Sequence, residues 1–451
     1  MTLIFYDTET SGLKPAFDQI VQFAAIVTDD AFKVLEEVNF RCQLLPHVLP
    51  SPGAMVVTKV GPKSIQSAPM SSYEMVSAIR KFIQKWSPAV LVGYNSISYD
   101  ENMLRQAFYQ NLHPTYLTNT NGNSRMDILR LAHAVATYSP DAINVPLNEN
   151  GKQVFKLGLL AAANGLALDN AHDAHADTRA TLELAKLLKD RAPDVWSDLF
   201  ASRSKALVAN RISDEKLVLF TNRTFAKHTI LAGLICVSPD NTAAHAMFDL
   251  AYDPAPYLGV DVERAVTLLK SNPRPIRVIT ASNLPIIRSY RDDVDVGVDF
   301  ETASERLDRI HRHPTFASVI SQAMAGQYGD KEPSPYIEDH IFNGFPNRAD
   351  TGLMEKFHRA PWLERYELSR AFTEERYQMF AERLIYAERP DGLPPERRSY
   401  WGDWCASRVQ ASDDVPWMTY EKAKLELAGI RDKSDDSQKG LIDEIEVFMC
   451  R

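Results

Sequence analysis

Carboxylate residues occur at three places in this 451-residue chain with a spacing that suggests a metal site. The first place is the stretch "IFYDTETSG", where an apolar run ends on Asp7 and Glu9. Because side chains alternate between the two faces of a strand, these acids project to the same side. Like charges on one face call for a positive partner, and oxygen ligands suit a hard divalent cation such as Mg²⁺ or Mn²⁺. The alternative is a surface-exposed strand end whose acids face water.

Two more acids follow at a distance in the sequence. Asp100 comes directly after the apolar stretch at residues 89–95 and begins a helical pattern, where an aspartate often serves as the N-cap. Asp177 enters an amphipathic helix in "NAHDAHADTRATLELAKLL", and His172 precedes it by five residues. For Asp127, in "SRMDILRLA", the position before a helical pattern favours the role of a helix cap over that of a further metal ligand. Taken singly, each of these acids has an ordinary structural explanation.

The elements that must position these residues read as strands first and then as strands alternating with helices. Hydrophobic periodicity and β-branched content predict strands at residues 3–9, 19–30, 32–44 and 89–95, the first three forming a meander. Apolar spacing of helical period predicts helices at residues 71–86, 101–111, 125–138, 155–166 and 176–192. The first of these begins at a Ser71 cap, and the last stops before Pro193.

The pattern of apolar residues changes after Pro193, from helical spacing to short strand-like runs. The short runs "KLVLFT", "HTILAGLICV", "AHAMFDLAY" and "PIRVIT" predict a small, largely β domain at residues 194–332. After the linker "GDKEPSPY", glutamate, arginine, leucine and aromatic residues recur at helical spacing, which predicts a helical domain at residues 333–451. Since the chain is too long for one ordinary core, we expect three domains, the first at residues 1–193.

Composition limits the function classes. No apolar run reaches the length of a membrane span and no secretory signal pattern is present, so the cytoplasm is the expected location. Four cysteines without a Cys-x-x-Cys pair argue against a thiolate zinc site and a disulfide framework. The net charge of −9 is atypical of a nucleic-acid binder. Residues 1–192, however, carry 17 basic and 18 acidic side chains, so a local basic groove remains compatible with the sequence.

The combined pattern resembles the histidine subclass of the DEDD exonucleases. Its elements are D-x-E on the first strand, an aspartate after a central strand, and H-x-x-x-x-D entering a late helix. The tyrosine subclass would need tyrosine at the position of Asp173. The stretches "FYDTETSG", "GYNSISYDENMLRQAFY", "NSRMDILRLAHAVATYSPDAINVP", "NAHDAHAD" and "IFNGF" narrow the resemblance to the bacterial exonuclease I family, whose three-part layout agrees over nearly the whole chain.

This resemblance implies a fold and an activity. The fold is α/β: a ribonuclease H-like exonuclease domain with a mixed sheet, an SH3-like β domain and a helical C-terminal domain, together shaping a groove for single-stranded DNA. The activity is metal-dependent 3′ to 5′ hydrolysis of single-stranded DNA to 5′-mononucleotides, in DNA repair and recombination. Two Mg²⁺ ions, with Mn²⁺ as a substitute, would be held by four carboxylates, and a histidine would activate water. The implied residues are Asp7, Glu9, Asp100 and Asp177 as metal ligands and His172 as the catalytic base.

The resemblance also implies contacts to the substrate and to partners. Residues after the first acids would meet the terminal nucleotide: Thr8, Thr10, Gly12 and Leu13, together with Asn95. Leu13 would pack on the base, unless it lies in the core, and Asn95 has the alternative role of a turn former. Three aromatic residues would form either a stacking platform or part of the core: Tyr99, Phe108 and Tyr109. We expect a monomer, and in the family the C-terminal tail of single-strand DNA-binding protein is a partner.

Two alternative functions remain open from the sequence. One is a 3′ to 5′ exoribonuclease of the same superfamily, although those relatives are usually compact single domains. The other is a catalytically inactive scaffold that binds single-stranded DNA.

Overall fold

The structure is a computed structural model that describes residues 1–166, 173–223, 228–271, 274–325, 332–434 and 438–449. It divides into two compact units. The first contains residues 1–123, 167–182 and 333–451, and the second contains residues 124–166 and 183–332. None of the described helices combines the length and the apolar character that crossing a bilayer would require. Cys42, Cys236 and Cys405 are free thiols, and Cys450 lies outside the described residues.

A mixed sheet organises the first unit. Its strands are β1 (Thr2–Thr10), β2 (Ile20–Thr28), β3 (Val34–Arg41) and β4 (Ala89–Gly93). They lie in the order β3-β2-β1-β4, with β1 antiparallel to β2 and parallel to β4. The predicted meander and the predicted mixed sheet are therefore confirmed. Because β1 is central among these four strands, its side chains are buried up to the point where the acids begin.

Helices cover this sheet and complete the core. They are α1 (Pro52–Thr58), α2 (Pro62–Gln66), α3 (Ser72–Trp86) and α4 (Asp100–Gln110). The predicted Ser71 cap of α3 is a full capping box with Glu74, which satisfies two backbone donors at the helix start. Apolar side chains of both long helices, such as Ile79 of α3 and Leu104 of α4, join Phe23 of β2 in one buried cluster.

The segment after residue 123 departs from the expected single helix at 125–138. It forms strand β5 (Ser124–Asp127) and then helix α5 (Ile128–Tyr138). Asp127 is the N-cap, accepting a hydrogen bond from the backbone N–H of Leu129 at 3.0 Å, as expected for this residue. A strand of four residues is too short to show alternation, so the helical period dominated the pattern. Helix α6 (Leu157–Ala163) lies within the predicted segment 155–166, and α7 (Ala174–Arg191) begins two residues before the predicted segment 176–192.

The region after Pro193 contains the predicted strands and also many helices. The elements in chain order are α8 (Pro193–Ala201), α9 (Lys205–Asp214), β6 (Val218–Thr221), β7 (Thr229–Val237), β8 (Ala244–Asp249), α10 (Val262–Lys270), β9 (Ile276–Thr280), β10 (Ile286–Ser289), α11 (Phe300–His311) and α12 (Pro314–Ala325). The strands form an antiparallel sheet in the order β10-β6-β7-β8-β9. The expectation of a largely β region was wrong, because the Asp261 and Asp299 caps that start α10 and α11 were overlooked. The specifically SH3-like form stays a prediction.

The C-terminal region is helical, as predicted. Its helices are α13 (Arg348–Arg359), α14 (Arg365–Ser369), α15 (Glu375–Glu388), α16 (Pro395–Gln410), α17 (Tyr420–Arg431) and α18 (Lys439–Met449). These helices belong to the first unit and share a buried cluster with it, in which Tyr73 and Tyr109 pack with Phe357 and Trp401. The division at residues 193 and 332 into three domains stays a prediction.

Candidate metal centre

Three of the predicted metal ligands converge in the first unit. Asp7 and Glu9 lie near the end of β1, and Asp177 lies in the first turn of α7. One carboxylate oxygen from each lies within 4.8 Å of the others. Glu9 is 8% exposed, and Asp7 and Asp177 are partly buried. Such spacing matches a group of oxygen donors around a cation.

Asp100 is held beside this group by β1, the strand that carries Asp7 and Glu9. Its Oδ1 accepts hydrogen bonds from Thr8 Oγ1 at 2.5 Å and from the Thr8 backbone N–H at 3.2 Å. Thr8 lies between the two acids of β1, so one strand positions three of the four carboxylates. Asp100 is the first residue of α4, while the N-cap position is Tyr99. The interpretation of Asp100 as an N-cap is therefore wrong.

The electrostatics of the cluster are unfavourable without a cation. Burial raises the pKa of Asp7 well above its ordinary value, and the charges of Asp100, Glu9 and Asp177 raise it further. Burial, followed by Asp177 and Asp100, raises the pKa of Glu9 to about 8. Few positive charges compensate these acids, their carboxylate oxygens are closely spaced, and every donor is an oxygen. These features fit a divalent metal ion.

Arg41, a cation that acts on Glu9, is already paired with another acid. Arg41 lowers the pKa of Glu9, but its Nη2 lies 2.5 Å from Asp173 Oδ2. The same carboxylate accepts a hydrogen bond from Gln22 Nε2 at 3.2 Å, and its other oxygen accepts one from the His175 backbone N–H at 3.0 Å. Asp173 thus ties the start of α7 to the sheet. Sequence reasoning missed this role, because both partners lie on strands far away in the sequence.

Two histidines precede Asp177 in the sequence, and the structure describes only the second. The predicted base, His172, lies outside the described residues. His175 Nε2 lies 2.9 Å from Glu37 Oε2 on β3, and Arg179 donates to the same carboxylate at 2.7 Å. His175 therefore has a partner that anchors α7 against the sheet.

The turn after β1 is held by Tyr99. Its hydroxyl donates to the Gly12 carbonyl at 2.7 Å and lies 2.5 Å from Thr10 Oγ1. Burial raises the pKa of Tyr99 to about 12, so the hydroxyl keeps its proton. Tyr99 is thus a positioning group, and Phe108 and Tyr109 are core residues as the alternative interpretation had it.

Asp18 closes the same turn, and sequence reasoning missed it. Its carboxylate accepts from Ser11 Oγ at 2.9 Å and from the Lys14 backbone N–H at 2.8 Å. A Cβ at Gly12 would lie 2.5 Å from Asp18 Oδ1, so a larger residue there would displace this carboxylate. The result is that Leu13 projects outward at the tip of the turn, 81% exposed, which rules out a core position.

Asn95 lies at the end of β4 in a left-handed conformation, with φ of 59°. Asparagine tolerates this region better than most residues. The turn-former interpretation accounts for its residue type, and its side chain is exposed.

Contacts from the C-terminal helices support the turn. Arg383 donates to Gln110 Oε1 at 2.9 Å, and Gln110 Nε2 donates to the Ala16 carbonyl at 3.0 Å. The ring of Phe17 packs against Tyr336 and Trp417, at centroid distances of 5.6 and 5.7 Å. The helical region therefore fixes the segment that follows the first two acids.

Comparisons with known proteins match both ends of the chain. Residues 4–185 match the family model described as an exonuclease, which includes all four acids of the site. Residues 336–450 match the model described as the exonuclease I C-terminal domain.

Individual relatives agree with these matches. The chain is 29% identical to exodeoxyribonuclease I of Escherichia coli over 374 residues, 78% of each chain. It is 25% identical to exodeoxyribonuclease I of Haemophilus influenzae over 459 residues, 95% of this chain and 92% of that one.

Solved structures share the fold over almost the full length. Exonuclease I of Methylocaldum szegediense superposes with a TM-score of 0.88 at 24% identity, covering 99% of this chain and 98% of that one. E. coli exonuclease I in complex with a dA16 oligonucleotide superposes with a TM-score of 0.89 at 25% identity and the same coverage.

Proposed function

This chain belongs to the exonuclease I family, and from that premise we propose that it is a 3′ to 5′ exodeoxyribonuclease releasing 5′-mononucleotides from single-stranded DNA. The observation that carries the proposal is the convergence of Asp7, Glu9 and Asp177 within the region that matches the exonuclease model. A relative of like fold has been solved with a single DNA strand, which supports the choice of substrate.

The family generally uses divalent metal ions, and we assign Mg²⁺ here, with Mn²⁺ as its substitute. Asp7, Glu9 and Asp177, with Asp100 beside them, would hold two ions. Bound cations of this kind neutralise charge on the phosphate and lower the pKa of a bound water. The raised pKa values of Asp7 and Glu9 support this assignment, because four neighbouring acids remain ionised together most easily when a cation is shared among them.

The chain's own residues would do the remaining work. His172 would remove the proton of the attacking water, since an imidazole titrates near neutral pH. Backbone groups of the turn held by Tyr99 would meet the terminal nucleotide, with Thr8, Thr10 and Gly12 shaping its wall. Leu13 would pack on the terminal base, and its 81% exposure leaves its surface available for that contact. Asn95 would add a polar contact from the end of β4.

The biological setting is proposed from the family. It consists of DNA repair and recombination in the cytoplasm, by a monomer that meets the C-terminal tail of single-strand DNA-binding protein. The three thiols support a reducing compartment. The match at residues 336–450 is to a domain model specific to exonuclease I, which disfavours the exoribonuclease alternative. The inactive scaffold is disfavoured because it would keep four acids close together, an unfavourable arrangement, without a metal ion to bind.

The direct test is digestion of end-labelled oligomers of matched sequence. The set contains single- and double-stranded DNA and RNA, each with Mg²⁺ or with EDTA. We expect stepwise shortening of single-stranded DNA from its 3′ end in Mg²⁺ and none in EDTA. Faster degradation of RNA, or cleavage that persists in EDTA, would contradict the proposal.

A further inference from the structure

Two neighbouring cavities lie between α3, the end of α4 and α13 in the first unit. Their volumes are about 290 Å³ and about 390 Å³. They share Arg80, His113, Glu355 and His358 as lining residues. The metal centre is at the other end of α4, which begins at Asp100, and an eleven-residue helix is about 16 Å long. The cavities therefore are not part of the site described above.

The larger cavity is strongly basic. Four cationic side chains and one carboxylate line it: Arg80, Lys81, Arg359, Arg365 and Glu355. The chain as a whole has a net charge of −9, so this concentration of positive charge is local. A cavity in which one sign of charge predominates raises the local concentration of the opposite ion.

Two of these arginines lack a carboxylate partner. Arg365 is 6% exposed, and its guanidinium donates to neutral groups, the Ala360 carbonyl at 2.9 Å and the Tyr73 hydroxyl at 3.1 Å. Neither Arg365 nor Arg80 forms an ion pair within the part of the chain that the structure describes. The buried Nε of Arg80 also has no hydrogen-bond partner there. Burying a guanidinium without a counter-charge is costly, and a bound anion would offset that cost.

A pair of neutral histidines fixes the direction of Arg80. Arg80 donates to His113 Nδ1 at 3.1 Å, and the ring of His113 stacks on that of His358 at a centroid distance of 4.1 Å. His358 Nε2 donates to the Leu112 carbonyl at 3.0 Å, while its Nδ1 lies 2.8 Å from the Tyr73 hydroxyl. Burial lowers the pKa of His358 to about 4, so this pair adds no positive charge near neutral pH. Each imidazole nitrogen of the two histidines therefore has a hydrogen-bond partner, which fixes the wall between the cavities.

The smaller cavity is aromatic. Tyr109, Tyr116, Phe345, Met354 and Tyr377 are among the residues that line it. The rings of Tyr116 and Phe345 lie edge to face at 5.5 Å, and Phe345 is 77% exposed at the cavity mouth. An aromatic chamber joined to a basic one matches a ligand in which a flat ring is linked to an anionic group.

We propose that these cavities form a binding site for a free nucleoside 5′-monophosphate, with the base in the aromatic cavity and the phosphate near Arg80, Lys81 and Arg359. The choice of nucleotide rests on the proposed function, because this molecule is the product of the exonuclease. A phosphate dianion also matches this group of cations, among which Arg359 pairs with Glu355 at 3.6 Å, better than a single carboxylate does. Together the cavities fall within the ~300–1,000 Å³ typical of small-molecule sites.

The test is calorimetric titration of thymidine 5′-monophosphate into the full-length protein in EDTA, where metal-dependent binding at the acids is suppressed. We expect one bound nucleotide per chain and much weaker binding of thymidine and of inorganic phosphate. The variant Lys81→Glu/Arg359→Glu changes two exposed residues and should weaken binding at least tenfold. The control Lys356→Glu/Lys424→Glu makes the same charge change at exposed positions outside both cavities and should bind as the parent does. Arg80→Gln should also weaken binding, with thermal unfolding to verify that it folds.

Several results would overturn this proposal. One is equal binding of the nucleotide by the parent and by the Lys81→Glu/Arg359→Glu variant. Another is tight binding of a 5′-phosphorylated oligothymidylate, or of an acidic peptide, without binding of the mononucleotide. Because the titration needs no turnover, its outcome is independent of whether the exonuclease activity is found.

Discussion

Acids at two places in the first unit have their charge compensated in opposite ways. At the end of β1, burial and neighbouring acids together raise the pKa values of Asp7 and Glu9. In the C-terminal helical region, Glu338 is 3% exposed, yet its Oε1 lies 2.8 Å from Arg383 and 3.2 Å from Arg408. Burial alone raises the pKa of Glu338, but the two arginines outweigh it and hold the pKa below its ordinary value.

Under the proposed function, this difference separates acids with a structural role from acids with a functional one. Where a buried acid only holds helices together, the chain supplies the counter-charge itself. Where the acids lack one, each acid opposes the ionisation of the others, and under the proposed function a divalent cation would supply the missing charge. Substitutions at the two places should therefore have opposite effects on activity and on stability.

The largest expected effect is loss of activity in Asp7→Asn. Removing one ligand of a shared metal site should reduce turnover of single-stranded DNA in Mg²⁺ by several orders of magnitude. The same change relieves repulsion, so the melting temperature in EDTA should stay equal or rise. The checks are single-turnover digestion and thermal unfolding on one preparation. A variant that cleaves at the parental rate would show that these acids are not the metal site.

The second expected effect distinguishes the two histidines. His172→Ala should reduce turnover ~10²–10⁴-fold, as is typical when a general base is removed. His175→Ala is the matched control, since His175 is bonded to Glu37 on β3 and should affect turnover only mildly. Single-turnover rates at saturating Mg²⁺ provide the comparison. The reverse ranking would mean that the base has been assigned to the wrong histidine.

The third effect is on stability. Glu338→Gln should lower the free energy of unfolding by about 3–5 kcal/mol, because Arg383 and Arg408 would stay buried without a counter-charge. Glu367→Gln is the control: Glu367 pairs with Arg370 at 3.6 Å on the surface, and such pairs contribute only about 0–1 kcal/mol. Urea denaturation measures both. Equal losses in the two variants would remove the contrast between paired and unpaired acids.

The fourth effect is the pH dependence of the stability of the metal-free protein. Glu9 has a folded-state pKa of about 8, against 4.5 ordinarily, so between those values the folded chain binds more protons than the unfolded chain. Stability from this group is therefore fully present below its ordinary pKa and is lost as the pH rises toward 8. In EDTA, the melting temperature should fall over this range, and Glu9→Gln should flatten the slope. An unchanged slope in Glu9→Gln would argue against a raised pKa.

Sequence reasoning identified features that depend on local pattern. The shared side of Asp7 and Glu9 follows from strand alternation, and the start of α3 follows from Ser71 with Glu74 three residues later. Asp127 likewise caps α5 as expected from its place before an apolar helical run.

Features that depend on distant partners were not predictable in this way. Asp18 and Asp173 are ordinary loop acids in the sequence, and their roles appear only when the turn and the strands that meet them are folded. The same holds for the core that Tyr73 of α3 shares with Phe357 of α13, because no local pattern encodes which helix covers which surface. The short strand β5 was missed since four residues carry too little periodicity.

The most direct test of the central claim is a titration of Mn²⁺ or Mg²⁺ into the full-length protein near neutral pH, in two buffers of different ionisation enthalpy. If the acids at the end of β1 bind the metal, binding must release protons, because Glu9 with a pKa of about 8 is largely protonated before the metal arrives. The observed heat should then differ between the buffers, and the binding should be lost in Asp7→Asn. Metal binding without proton release, or binding that Asp7→Asn leaves unchanged, would contradict the account.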